Sequence, residues 1–350
     1  MTEDARASLV APLPWQLDEW ERLSGSIRNR RLHHGVLLGG PAGIGKRLLC
    51  ERLAAAILCG HLIEGEPCGR CKNCLLIRAG THPDLLRIVP EEPGKQIRIN
   101  QIRAELGEFV MRTSSVARAK VVVIDPADAM NHSTANCLLK SLEEPAADTH
   151  LLLVSDAPAR LLATVRSRCE QLRLRPPAPE QGLKWLVSIA DTEDPGSAFE
   201  LACGCPLAAL NLLRDGGLGS FERVAELMFR AADPGAWIPV LVSEYADLDL
   251  RVLLEWIFVF LLDFSRSLAT NDPAAARLRR TTGDYVALSS RSRAHHVARV
   301  LQRTVAARRD AMSTANPNRP LLLEALMIDW QRGFVGSTGK NPDDSLPFCS

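Results

Sequence analysis

Short apolar runs alternate with amphipathic segments through the first half of the chain. Four segments are predicted as strands: 33–38 and 121–124, which are typical of buried strands, then 150–154 and a further short strand at 170–174. Helices are predicted in the segments between and before them, at 15–31, 47–58, 97–112 and 131–142, and residues 161–168 are predicted to form a helix or a turn. Strands that alternate with helices in this way predict a parallel α/β sheet.

The second half of the chain shows only helical spacing. Prolines at 176, 177 and 179 interrupt the pattern, since proline lacks an N–H donor and blocks helix continuation. Helical segments follow, with a break at residues 215–217. We therefore predict an α/β domain at 1–175, a small helical domain at 176–215, a C-terminal helical domain at 216–335 and a disordered tail at 336–350.

Composition narrows the function classes. The 350 residues are 46% hydrophobic and 24% charged, as in ordinary globular proteins. A net charge of +1 gives no global basic field, and aromatics make up 5%, so strong independent binding of nucleic acid is not expected. Residues 1–8 carry charges unlike a signal peptide, and the apolar stretch 252–264 is too short to span a bilayer. We expect a cytoplasmic protein without membrane association.

Residues 40–47 resemble a phosphate-binding loop whose last position has changed. The pattern G-x-x-x-x-G-K-[S/T] uses backbone N–H groups and a lysine for phosphates and a hydroxyl for Mg²⁺. Gly40, Gly45 and Lys46 fit this pattern, but Arg47 replaces the hydroxyl residue. A guanidinium has only donors and a positive charge, so it cannot ligate Mg²⁺.

A second motif typical of nucleotide-hydrolysing proteins lacks its general base. Residues 121–124 are β-branched and lead into Asp125, which predicts a buried parallel strand ending in a carboxylate. In ATPases of this type the next residue is usually a glutamate that activates water, whereas Pro126 has no side-chain base. Three interpretations remain: a packing element, nucleotide binding without turnover, and an active ATPase supported by Lys46 and Asp125.

Four of the ten cysteines have the spacing of a metal site. Cys59, Cys68, Cys71 and Cys74 form C-x8-C-x2-C-x2-C. Four thiolates suit tetrahedral Zn²⁺, and a closed four-sulfur shell leaves no position for water, so we predict a structural zinc site. The alternatives are unliganded thiols, or His61 or His82 in place of one sulfur.

Several segments together resemble the delta-prime subunit family of bacterial DNA polymerase III clamp loaders, which are AAA+ proteins related to gamma and tau. The resemblance spans about residues 12–332 and is most specific in 59–84 and 131–169. It depends on these segments: 14–15, 33–34, the cysteine insertion, 80–84, 136–145, 161–169 and 316–324.

The resemblance implies an AAA+ α/β domain with a zinc insertion at 59–74, a helical lid and a helical collar. It also implies a non-hydrolysing stator in a pentameric ring with three gamma/tau subunits and one delta, which loads the sliding clamp on primer-template DNA as part of the polymerase holoenzyme. Arg168 matches an arginine finger that reaches ATP on a neighbouring subunit, and Arg166 is the less important neighbour.

The resemblance further implies a degenerate nucleotide site in which ATP is absent or bound without hydrolysis. Ser155 matches the polar sensor, and Leu207 stands where the ATPases carry an arginine. The site residues are Gly40, Gly43, Gly45, Lys46, Asp125 and Ser155. Lys140 and residues 112–120 are candidates for DNA phosphate contacts. The alternative functions are an active ATPase of the gamma/tau type and a zinc-dependent nucleic-acid-binding module.

Overall fold

A computed structural model describes residues 12–92, 94–191, 194–270, 285, 288–311 and 318–334. The chain divides into two compact units. The first runs to Asp191 and takes in Gly204–Ala209, and the second comprises the remaining residues. The boundaries of the lid and collar domains stay a prediction, and the tail at 336–350 lies outside the described residues.

The first unit is built on a five-stranded parallel sheet. In chain order its strands are β1 (Gly35–Gly39), β4 (Leu85–Ile88), β5 (Lys120–Ile124), β6 (Thr149–Ser155) and β7 (Glu170–Arg173), while β2 (Leu62–Ile63) and β3 (Glu66–Pro67) form a separate antiparallel hairpin. The order across the sheet is β4-β5-β6-β1-β7. The predicted α/β class is confirmed.

The neighbouring strands β1 and β6 pair in a register that aligns their carboxyl-terminal residues. Gly39 pairs with Ser155, and both strands are buried along nearly their whole length. A parallel strand buried on both faces requires the continuous apolar runs seen in the sequence. Apolar clusters cover the two faces of the sheet, one including Leu53 and the other Leu138.

Helices of the first unit connect and cover these strands. Their bounds are Leu17–Arg28, Lys46–Leu58, Lys72–Ala79, Ile99–Gln101, Gly107–Met111, His132–Glu143, Ala163–Arg166 and Pro179–Ile189. The segment predicted as one helix over 97–112 contains a π-helical stretch, Ile102–Leu106. In this stretch Ile102 and Leu106 are both buried.

The described part of the second unit contains helices and no strands, which confirms the predicted all-helical class of this half. Its core includes an aromatic cluster in which Trp330 packs edge-on against Phe260, Phe264 and Phe334. The indole N–H of Trp330 donates to the Met228 carbonyl at 2.8 Å. Helix bounds from residue 195 onward are Pro195–Leu201, Pro206–Arg214 (shared between the units), Gly217–Ala231, Ile238–Ser243, Leu250–Thr270, Ala294–Ala311 and Arg319–Arg332.

No single helix in the described ranges is long and apolar enough to cross a membrane. The bent helix pair Pro195–Leu201 and Pro206–Arg214 reaches the required length and apolar content only when the two helices are counted together.

Candidate nucleotide, metal and arginine sites

The glycine loop joins the end of β1 to the helix Lys46–Leu58. Gly43 and Gly45 have φ of +77° and +89°, a region that side chains disfavour. A Cβ on Gly43 would lie 2.4 Å from the Ala208 Cβ, and one on Gly45 would lie 2.4 Å from the Leu13 side chain. Close packing therefore requires both glycines, independently of any phosphate.

Hydrogen bonds from side chains and from the backbone fix the carbonyl groups of Gly43 and Ile44 in this loop. The Trp15 indole N–H and the Gln16 amide each donate to the Ile44 carbonyl at 3.0 Å. The backbone N–H of Leu207 donates to the Gly43 carbonyl at 3.0 Å. Leu207, at the position predicted to correspond to the arginine of the ATPases, thus contacts the loop through its backbone, and its side chain supplies no charge.

Lys46 is buried inside the loop that it follows. Its Nζ donates to the Pro41 carbonyl at 2.6 Å and lies 2.5 Å from the Asp156 carboxylate. The ammonium group that would contact outer phosphates is therefore paired within the protein. Asp156 follows β6 directly, and sequence analysis did not single it out.

Arg47 reaches the carboxylate at the end of β5. Its Nε donates to Oδ2 of Asp125 in an ion pair, with Arg47 exposed and Asp125 buried. A carboxylate of this position would help hold Mg²⁺, but here a guanidinium supplies the compensating positive charge. The next residue is Pro126, as the sequence states, so no carboxylate base follows.

Ser155 lies at the same edge of the sheet and is fully buried. Its hydroxyl accepts the Ala157 N–H at 3.2 Å, and its carbonyl accepts the Gly40 N–H at 3.2 Å. The fold thus brings the predicted nucleotide-site residues to one edge, as expected where parallel strands end. In the structure, however, Lys46, Asp125 and Ser155 all bind groups of the protein itself.

The four predicted metal ligands converge beside the β2–β3 hairpin. The sulfurs of Cys59, Cys68, Cys71 and Cys74 all lie within 4.8 Å of one another. Two Sγ pairs, Cys59 with Cys71 and Cys68 with Cys74, are each 3.9 Å apart. A tetrahedral ion with Zn–S bonds of about 2.3 Å would place its sulfurs about 3.8 Å apart. The cluster is therefore able to hold a metal ion.

Backbone N–H groups donate to the sulfurs of Cys59 and Cys68 and favour their thiolate forms, although burial raises the pKa of Cys59 and of Cys74. Cys68 N–H donates to the Cys59 sulfur at 3.4 Å, and Cys71 N–H donates to the Cys68 sulfur at 3.3 Å. Although desolvation raises the pKa of Cys68, hydrogen bonds from the backbone N–H groups of Arg70 and Cys71 bring it down to about 6. Negative sulfurs are the form that binds a metal ion.

His82 does not belong to the sulfur cluster. Its Nδ1 accepts the Asp84 N–H at 3.0 Å, so Nε2 carries the proton and donates to Asn73 Oδ1 at 3.3 Å. Asn73 in turn donates to the Leu58 carbonyl at 2.6 Å. This chain of bonds connects the cysteine-bearing segment with the start of β4. Among the described residues, the metal-type cluster comprises cysteines alone.

Arg168 is partly exposed and is held from two sides. Its Nη2 lies 2.7 Å from Oε1 of Glu143, and its Nη1 donates to the Thr164 carbonyl at 3.0 Å. Arg166 differs, because its Nε is buried without a hydrogen-bond partner among the described residues. The assignment of Arg168 as an arginine finger stays a prediction, since its target would lie on another chain.

The structure changes the interpretation of the basic segment 112–120. Lys120 is buried, and its Nζ donates to the carbonyls of Phe109, Val110 and Arg112 at 3.3, 2.8 and 2.6 Å. It therefore stabilises the end of the helix Gly107–Met111 and is not available to DNA. Lys140 is exposed, so its possible role at phosphates stays a prediction.

Sequence analysis also missed a buried acid that organises this region. Asp84 accepts the N–H groups of Ser115, Val116 and Ala117 at 2.6, 2.8 and 2.8 Å. Desolvation raises its pKa, but the three N–H donors outweigh this effect and hold the pKa below its usual value. The only signal in the sequence was its place in the segment 80–84.

Comparison with known proteins gives a consistent picture. The sequence matches the family model described as DNA polymerase III, delta subunit, over residues 15–178, and the model for the C-terminal part of the DNA polymerase III delta subunit over 221–332. DNA polymerase III subunit delta' of Pseudomonas aeruginosa is 38% identical over 321 residues, covering 91% of this chain and 96% of that protein. Subunit delta' of Escherichia coli is 32% identical, covering 71% and 75%. Subunit tau/gamma of Haemophilus influenzae is 34% identical over 153 residues, covering 44% and 22%.

Proposed function

Because the chain belongs to the delta-prime subunit family of DNA polymerase III, we propose that it is the clamp-loader subunit that supports ATP hydrolysis on a neighbour without hydrolysing ATP itself. Its AAA+ α/β fold retains the edge at which nucleotides bind in this class, and the family membership makes it part of a DNA replication clamp loader.

One observation carries the non-hydrolysing part of the proposal. Arg47 stands where the Mg²⁺-binding hydroxyl belongs and pairs with Asp125, the carboxylate suited to the same ion. A divalent cation at this place would have to displace a guanidinium of the same sign. Pro126 additionally removes the base that would activate water. These features favour a nucleotide site that does not hydrolyse ATP.

Arg168 is the residue through which this chain contributes to chemistry. A guanidinium is always charged and planar, so it matches the charge that develops on a transferring phosphoryl group. Its partial exposure leaves it accessible to a neighbouring chain. Arginine fingers of this kind raise the kcat of hydrolysis about 10³–10⁵-fold in other NTPases.

Family membership supports the proposal of clamp-loader partners. The complex is a hetero-oligomeric ring of three gamma/tau subunits, one delta subunit and this chain, which opens the sliding clamp and loads it on primer-template DNA in the cytoplasm. The near-neutral net charge agrees with DNA contacts made by the assembled ring more than by this chain alone.

Zinc is the proposed structural cofactor of the cysteine cluster. The sulfur spacing and the N–H donors support four thiolate ligands around one ion, an arrangement with no open position for a substrate. The ion would fix residues 59–71 to the helix Lys72–Ala79, which carries Cys74.

Reconstitution with gamma/tau and delta subunits tests the proposal. The isolated chain should show no Mg²⁺-dependent ATPase activity, and the complex should show DNA-stimulated activity that falls with Arg168→Ala while size exclusion shows intact assembly. Arg160→Ala, at an exposed arginine nearby, is the matched control. ATP turnover by the wild-type monomer that disappears with Lys46→Ala would favour an active ATPase. Tight binding of primed DNA by the monomer at physiological salt would favour a nucleic-acid-binding module.

A further inference from the structure

Glu143 and Arg168 come together from two different elements. Glu143 is the last residue of the helix His132–Glu143, and Arg168 follows the short helix Ala163–Arg166. The carboxylate engages Nη2 at 2.7 Å, while the Thr164 carbonyl accepts from Nη1 at 3.0 Å. A guanidinium carries five N–H donors in a fixed plane, so contacts at both Nη atoms fix the orientation of that plane.

The backbones that carry this pair are anchored at the start of β1. His34 Nε2 lies 2.9 Å from the Leu142 carbonyl, which fixes the end of the helix that carries Glu143. A Cβ on Gly35 would lie 2.9 Å from the Leu142 side chain and 3.3 Å from the Arg168 carbonyl. Glycine at this position lets both segments pack against the same residue. The separation of Glu143 and Arg168 is therefore set by the sheet.

We propose that Glu143 is a positioning residue that holds Arg168 in the orientation needed to meet ATP on the neighbouring subunit. The inference rests on the proposed role of Arg168. A free arginine side chain loses considerable rotamer freedom when it binds, and a carboxylate that fixes its plane beforehand reduces this loss. The carboxylate and the arginine are both substantially exposed, at 48% and 37%, so the pair contributes little to stability. Its main effect is on geometry.

The experiment uses the reconstituted clamp-loader complex with Glu143→Gln, Glu143→Asp and, as matched control, Glu144→Gln. Glu144 is the exposed neighbour, and within the described ranges it forms no ion pair. DNA-stimulated ATPase activity is measured against ATP concentration. We expect Glu143→Gln to lower kcat about two- to tenfold with KM unchanged, because ATP is bound by the other subunit. Glu143→Asp, which retains the charge, should recover part of the loss, and Glu144→Gln should match wild type.

A double variant separates positioning from a general structural role. Because Glu143 acts through Arg168, Glu143→Gln combined with Arg168→Ala should be no slower than Arg168→Ala alone. An additional loss in the double variant would overturn the inference. So would wild-type or raised activity of Glu143→Gln, the latter indicating that the carboxylate restrains the arginine.

The outcomes also distinguish this inference from the proposal on which it rests. If Arg168→Ala leaves ATPase activity and clamp loading unchanged, the arginine finger itself is wrong. If Arg168→Ala lowers activity and Glu143→Gln does not, only the positioning role is wrong. Size exclusion and thermal unfolding of each variant establish that only folded, fully assembled complexes are compared. Glu143→Asp provides the test if Glu143→Gln does not assemble.

Discussion

Arg47 and Asp125 form an ion pair across 78 positions of the sequence, at the edge where β5 ends beside the glycine loop. The arginine at the position of the Mg²⁺-binding hydroxyl therefore also places a positive charge beside Asp125. The missing hydroxyl and the ion pair at Asp125 are therefore connected, because the arginine compensates the charge that a metal ion would otherwise neutralise.

Restoring the hydroxyl should restore part of the metal site. We expect Arg47→Thr to bind ATP more tightly in the presence of Mg²⁺ than in its absence, since a hydroxyl and an Asp125 carboxylate without the Arg47 guanidinium then face the ion. Arg47→Ala, which removes the guanidinium without adding a hydroxyl, is the control and should gain less. Titration of a fluorescent ATP analogue with and without Mg²⁺ measures the effect. Equal Mg²⁺ dependence in the wild type and Arg47→Thr would contradict the role assigned to Arg47.

Lys46 should be important for stability and unimportant for turnover. Lys46→Ala removes the contacts to the Pro41 carbonyl and to Asp156 from a buried position. We expect a loss of about 1–3 kcal/mol in the free energy of unfolding, measured with urea, and unchanged ATPase activity of the assembled complex. Asp156→Asn, which weakens the ion pair but keeps Lys46, should cost less. If Lys46→Ala folds but the complex that contains it no longer loads clamps, the loop has a role in nucleotide binding instead.

The cysteine cluster should carry about one zinc ion per chain. Cys71→Ser should lower the zinc content and expose the segment 59–74 to protease, because apparent binding free energies of about 10–16 kcal/mol contribute directly to folding at such sites. Cys203→Ser, at an exposed cysteine outside the cluster, should retain the metal. Elemental analysis of protein never exposed to chelator is the measurement, and zinc-free wild-type protein would rule the site out.

Asp84 should make stability depend on acid pH. Its pKa is depressed in the folded state, so its contribution is present above the usual carboxyl pKa of about 3.9 and is lost as pH falls through the lower folded value. We expect Asp84→Asn to lower the free energy of unfolding by about 2–3 kcal/mol at pH 7, because the amide cannot accept all three N–H groups.

Urea unfolding at several pH values tests this dependence. The difference between the wild type and Asp84→Asn should shrink as the pH falls below about 4. The exposed acid variant Asp148→Asn serves as the comparison. A difference that stays constant down to acid pH would show that the buried carboxylate is not charged in the folded protein.

Short-range patterns predicted most of the fold. Strands such as β5 follow from unbroken runs of β-branched residues, and the helix His132–Glu143 follows from apolar residues at helical spacing, because both depend on local backbone geometry and burial. The π-helical stretch Ile102–Leu106 was not predicted, since its apolar spacing differs little from that of an ordinary helix.

The sequence by itself determined the alternation of strands and helices, the cysteine spacing and the chemical change at Arg47, because each is a property of neighbouring residues. Only the tertiary structure decided that Arg47 pairs with Asp125, that Lys46 is buried against Asp156 and that Arg168 is held by Glu143. These partners lie in separate segments, and the sheet register and helix packing bring their charges within a few ångströms. Coulombic and hydrogen-bonding interactions depend on that separation in space, which residue spacing along the chain does not specify.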